Sequence, residues 1–171
     1  MRLGFFGDVV GKPGRTSVLE HLPGLKATER LDFVVVNAEN AAGGFGVTEA
    51  IGEELIAAGA DCLTLGNHAW DQREALTYIA REDRMLRMCN YPVDIDVPGR
   101  GAHLFVLPSG LRVGVISVMG RVFMDALDDP FQAVDRELEA LQLGGSADAL
   151  IVDIHGEATS EKMAMGHFCD G

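Results

Sequence analysis

Apolar runs and amphipathic stretches alternate along the chain. Leu3 to Phe6 is a short apolar run, and Leu31 to Asn37, with Phe33-Val34-Val35-Val36, is a clearer one. Asp61 to Leu65 is a third. Short apolar runs bounded by turn residues predict buried strands. Leu104 to Leu107 and Val113 to Val118 flank Pro108-Ser109-Gly110, a turn signal that predicts a hairpin. Ala149 to Ile154 is the last strand-like segment. Helical patterns lie between them. Thr48 to Ala58 opens on a capping residue and closes at Gly59. Asp71 to Arg81 and Phe131 to Leu141 are two more, and Glu161 to Phe168 is a further helix-like run. Strand, helix, strand, helix in this order predicts an α/β fold with crossover connections.

The 171 residues, 18.3 kDa, fit a single domain over 1–171. There is no internal repeat, low-complexity tract or linker. Asn90 to Gly101, with Pro92, Pro98, Gly99 and Gly101, reads as a loop excursion. Asp170-Gly171 is a pair that normally leads into another strand, so the sequence reads as incomplete at its C-terminus.

Composition narrows the partners. The net charge of −12 and pI near 4.7 argue against a stable nucleic-acid complex built on Lys and Arg. A phosphate substrate stays open, because bound cations reverse the local field. Cys62, Cys89 and Cys169 form no CxxC pair, which fits a reducing compartment better than a disulfide framework. No apolar run approaches the roughly 18 residues that span a membrane. The first residues turn acidic at Asp8, too soon for a signal peptide. A cytoplasmic protein without membrane contact is the expectation, and a homo-oligomer is left open.

The candidate chemistry is positional. Four strand-like segments each lead into metal-ligand-type or titratable residues: Asp8, then Glu39-Asn40, then Asn67-His68, then Asp153 and His155. In open α/β sheets, ligands bind beyond the carboxyl ends of the strands. Carboxylate, amide oxygen and imidazole suit Mn, Fe or Zn. Glu39 has two oxygens and could bridge two ions, and two such ions clamp a phosphoryl group for in-line displacement. Each piece alone has a plainer reading: Asp8 as a cap or turn residue, Glu39-Asn40 as a solvated turn, Gly66-Asn67 as a turn, His155 as a core histidine. The fourfold placement at strand ends favours a site. Gly43-Gly44-Phe45-Gly46 lacks the Walker ending, so its glycines read as allowing close backbone approach. Arg15 could reach a substrate phosphate, or belong to the basic start of a helix. His21, His103 and His167 are assigned no role, and Asp128-Asp129 and Glu53-Glu54 read as solvated faces.

Gly66-Asn67-His68 after an apolar strand resembles the Gly-Asn-His block of calcineurin-like metallophosphoesterases. Four longer blocks resemble the YmdB-like branch of that superfamily. They are Phe6-Gly7-Asp8-Val9-Val10-Gly11-Lys12-Pro13-Gly14-Arg15, Asn37-Ala38-Glu39-Asn40-Ala41-Ala42-Gly43-Gly44, Leu65-Gly66-Asn67-His68-Ala69-Trp70-Asp71 and Asp153-Ile154-His155-Gly156-Glu157-Ala158-Thr159-Ser160-Glu161-Lys162. The resemblance implies a calcineurin-like sandwich of β-sheets flanked by helices, with part of the C-terminal fold absent. It implies a phosphodiesterase with a dinuclear centre of two divalent or trivalent metal ions, Fe or Mn before Zn or Mg. The substrates implied are small cyclic nucleotides, 2′,3′-cyclic first and 3′,5′-cyclic second. Asp8, Glu39 and Asn40 would serve the first ion, with Glu39 bridging, and Asn67 and His155 the second. His68 would be the general acid. Val10 stands where the wider superfamily has the His of Asp-x-His. The branch also carries a Gly-Thr-His-Thr-His segment that these 171 residues do not contain.

The expected reaction is phosphodiester hydrolysis, with His68 protonating the leaving ribose oxygen, Arg15 offsetting developing charge and Asp153 orienting His155. Two alternatives stand beside it: a phosphomonoesterase or nucleotidase using the same metals, and a metal-binding regulatory protein with little turnover.

Overall fold

The computed structural model describes residues 1–170. They form two compact units, one over Met1–Met85 and one from Leu86 onward.

In the first unit β1 (Leu3–Phe6), α1 (Gly11–Thr28), β2 (Phe33–Asn37), α2 (Glu49–Ala57), β3 (Cys62–Thr64) and α3 (Ala75–Ile79) follow one another, and the short β4 (Met85–Leu86) lies at the junction. The sheet order is β1-β2-β3-β4. β1 and β3 both run parallel to β2, with Phe6 opposite Val36 and Asn37 opposite Thr64. The all-apolar Phe33–Val36 run lies in an inner strand and is buried throughout, as a parallel strand covered on both faces should be. Leu22 of α1 and Leu55 of α2 are also fully buried. Because the three strands are parallel, the segments after Phe6, Asn37 and Thr64 all leave from one edge of the sheet.

Local chemistry explains the element ends. Thr48 Oγ1 accepts from the Ile51 N–H at 3.2 Å and starts α2, and Gly59, at φ +117°, follows its end. The helical pattern over Asp71–Arg81 gives a helix only over Ala75–Ile79. The preceding residues are held in tight turns, with the Ala69 N–H on the Gly66 carbonyl, Asp71 on His68 and Ala75 on Gln72. Side-chain bonds from Asp71 and Gln72 to other groups fix that stretch, so helix propensity does not decide it. α1 is the reverse case. Its Pro13, Gly14, Pro23 and Gly24 obscure a helical signal in the sequence, yet the helix runs for 18 residues.

In the second unit β5 (Ala102–Val106) and β6 (Arg112–Met119) form the predicted antiparallel hairpin, its turn carrying Gly110 at φ +83°. α4 (Pro130–Ala140) then crosses over to β7 (Ala149–His155), which pairs parallel to β6, and α5 (Thr159–Cys169) follows. Asp129, expected on a solvated face, instead caps α4, its Oδ1 accepting from the N–H groups of Phe131 at 2.9 Å and Gln132 at 3.2 Å. Ile116, Val118, Val134 and Met165 lie at the centre of this unit's core. No described helix is long and apolar enough to cross a membrane.

Candidate functional site

Three loops at the carboxyl edge of the parallel sheet carry the residues of interest. The loop after β1 is tied to the loop after β2 by two backbone bonds, Val9 N–H to the Asn37 carbonyl at 3.0 Å and Gly11 N–H to the Asn40 carbonyl at 2.8 Å. Just before them Asp8 sits at φ +48°, a conformation that costs a non-glycine residue energy and is retained where the surroundings enforce it. This turn brings the Asp8 carboxylate onto the loop after β2. Asn40 Nδ2 donates to Asp8 Oδ1 at 2.7 Å and to Glu39 Oε1 at 3.0 Å. Two carboxylates thus converge on one neutral amide.

Their environments differ. Asp8 is exposed, whereas Glu39 is only 2% exposed. Burial pushes the Glu39 carboxyl up to about 7, and the charge of Asp8 adds to the rise. The backbone N–H of His68, the His68 ring and the Asn40 amide oppose it. That N–H lies 3.5 Å from Glu39 Oε2, a weak bond.

The loop after β3 supplies His68. Its Nδ1 is 2.7 Å from Asp71 Oδ2, and its ring meets Phe45 in a T-shaped contact with centroids 5.3 Å apart. Asp71 was not among the residues singled out from the sequence. Its spacing of three from His68 was the available signal, hidden because the stretch reads as a helix start. Phe45 belongs to the glycine-rich loop, where Gly46 is required by contact: a Cβ there would stand 3.0 Å from the His68 carbonyl oxygen.

The structure therefore gathers Asp8, Glu39, Asn40 and His68. Asn67 is exposed in the same turn as His68. Arg15, half-buried on α1, donates through Nη1 to the Ala41 carbonyl, so part of its donor fork is committed to holding the loop after β2. Asp153 and His155 lie in the second unit, where His155 is the last residue of β7 and pairs with Met119.

Oxygen donors at Asp8, Glu39 and Asn40 match a hard or borderline cation in type, and a cation would offset both the burial of Glu39 and its repulsion from Asp8. Among the described residues no three His, Cys, Asp or Glu side chains gather closely enough to hold an ion; beside Asp8 and Glu39 stands the Asn40 amide, whose nitrogen faces both carboxylates.

Comparison with known proteins bears on this arrangement. The family described as YmdB-like protein matches residues 5–171. The chain belongs to this YmdB-like family. A Bacillus subtilis (strain 168) relative named 2′,3′-cyclic-nucleotide 2′-phosphodiesterase is 43% identical over 171 residues, covering 100% of this chain and 63% of its own length. The crystal structure of a hypothetical protein from Thermus thermophilus superposes with a TM-score of 0.89 at 44% identity, covering 99% of this chain and 64% of that one. A crystal structure described as a novel phosphatase from Mycoplasma pneumoniae gives 0.85 at 32% identity, covering 99% and 60%. The YmdB-like chain described here spans about three fifths of the length of the curated relatives it matches. Its parallel sheet, its second sheet and their helices make up a mixed α/β fold of the calcineurin-like phosphoesterase kind.

Proposed function

We propose that this chain carries a metal-dependent phosphodiesterase site acting on 2′,3′-cyclic nucleotides. The observation that carries the reading is the convergence of Asp8, Glu39 and Asn40 beside the His68–Asp71 pair at one sheet edge. The Bacillus subtilis relative's named activity fits that chemistry.

Asp8, Glu39 and the Asn40 amide oxygen would hold a cation. Glu39, with one oxygen toward Asn40 and the other toward the His68 N–H, is the carboxylate suited to serve a second ion, with Asn67 nearby in sequence. The family resemblance implies Fe or Mn before Zn or Mg, and bound ions would supply charge to polarise the phosphoryl oxygens and activate water. The chain's own side chains do the rest. Asp71 engages Nδ1 of His68, which fixes the ring and leaves Nε2 as the nitrogen that holds and delivers a proton. Delivered to the departing ribose oxygen, that proton prevents the build-up of an alkoxide. Asn40 Nδ2 bridges the Asp8 and Glu39 carboxylates, and with a cation bound the amide would turn to present its oxygen instead. Arg15 secures the loop that carries both Asn40 and Ala41.

The direct test is hydrolysis of 2′,3′-cyclic AMP and of bis(p-nitrophenyl) phosphate with added Mn²⁺, beside p-nitrophenyl phosphate. Diester turnover exceeding monoester turnover, abolished by chelator, is the expected result. Preference for the monoester would replace the reading with a phosphomonoesterase, and no turnover of either would leave a binding protein.

A further inference from the structure

Phe45 is 59% exposed although its ring stands against that of His68, at a 5.3 Å centroid separation and an interplanar angle of 89°. A T-shaped contact occupies at most one face of a phenyl ring, so a face of Phe45 remains open to water. Leaving a large apolar ring in water forgoes the stabilisation its burial would bring, and this ring stands against the histidine proposed as the acid.

The backbone that carries this ring is fixed on both sides of it. Gly43, Gly44 and Gly46 adopt φ of +71°, +97° and +78°, backbone states that L side chains rarely adopt. The Phe45 carbonyl accepts from Gln72 Nε2 at 2.7 Å, and the Ala42 N–H donates to the Gly46 carbonyl at 2.8 Å. A Cβ at Gly46 would press on the His68 carbonyl, whereas nothing lies within 4 Å of one built at Gly43 or Gly44. The backbone is thus fixed next to the acid while the ring faces solvent.

We infer that Phe45 is a stacking platform for the base of the nucleotide, which makes the site prefer nucleoside cyclic phosphates over diesters without a base. This rests on the phosphodiesterase reading above. The ribose links a base lying on Phe45 to the oxygen that His68 protonates. Every base has a π-face, so the platform selects for the presence of a base and discriminates little among the four.

Wild type, Phe45→Ala, Phe45→Tyr and Phe45→Leu are compared on 2′,3′-cyclic AMP and on the 2,3-cyclic phosphate of 1-O-methylribose, which has no base. Removing a stacked aromatic costs about 5- to 150-fold per base. Phe45→Ala should therefore lose that factor in kcat/KM on the nucleotide, chiefly through KM, with the sugar phosphate unaffected. Phe45→Tyr should retain the preference, and Phe45→Leu should behave like the alanine variant. A second readout does not need turnover. Trp70, the one tryptophan in the sequence, lies two residues after His68, so its fluorescence can report binding of adenosine 3′-monophosphate, whose Kd should rise by the same factor in Phe45→Ala. Equal losses on both substrates, or none on either, overturn the inference. Absence of wild-type turnover of bis(p-nitrophenyl) phosphate is a separate failure, that of the phosphodiesterase reading itself.

Discussion

At the amino edge of the parallel sheet, Asp61 Oδ2 accepts from Lys26 Nζ at 2.6 Å and from the Val34 N–H at 2.8 Å. Asp32 accepts from the Arg2 N–H at 2.7 Å, and Arg2 pairs with Glu29 at 3.0 Å. At the carboxyl edge of the same sheet, Asp8 and Glu39 face one another across a neutral amide, and Glu39 is buried. The first arrangement matches each of these acids with a donor and so supports the fold. The second places like charges together, holds Asp8 in a costly backbone conformation and raises the pKa of a buried acid. Sites that must bind or react are where such costs collect. On this difference rests the proposal that the amino edge is structural and the carboxyl edge functional.

Substitutions at the two edges should therefore have opposite signatures. The largest effect belongs to His68: His68→Gln should lower kcat on 2′,3′-cyclic AMP by about 10²–10⁴-fold, the usual worth of a positioned acid. Bound metal measured by elemental analysis should be unchanged, and its loss would make His68 a ligand instead. Asp71→Asn should lower kcat by about 10–100-fold with KM unchanged, as removal of an orienting partner does. A matching rise in KM would assign Asp71 to substrate binding. Smallest is the amino edge. Asp61→Asn removes a charge-assisted bond between side chains about 30% exposed, and should cost about 1–2 kcal/mol in denaturant unfolding while kcat stays at the wild-type level. A kcat defect there would erase the distinction between the edges.

The strands, the hairpin and the ligand-type residues at strand ends were legible because burial and turn chemistry are written in short windows. Phe33-Val34-Val35-Val36 can hardly be anything but a covered strand, and only Asn37 and Ala38 separate it from Glu39 and Asn40. Three features were not legible. The full span of the helix over Gly11–Thr28 is one: its basic start at Arg15 was readable, but prolines and glycines mask its period, and packing of Val18 and Leu22 overrides them. The Asp71–Arg81 pattern shortens because the Asp71 and Gln72 side chains bond to other groups, information that periodicity cannot contain. The link between Phe45 and His68 spans 23 positions and depends on Gly46 meeting the backbone of another loop, a contact that only the folded chain creates.

The central claim is that Asp8, Glu39 and Asn40 form a cation site whose charges are arranged for binding. Calorimetric titration of Mn²⁺ into chelator-treated wild type, Glu39→Gln and Asp61→Asn measures this directly. Glutamine keeps the size of Glu39 and removes its charge, so affinity should fall by more than about 100-fold, whereas Asp61→Asn should bind as wild type does. Equal Mn²⁺ affinity in wild type and Glu39→Gln would contradict the account.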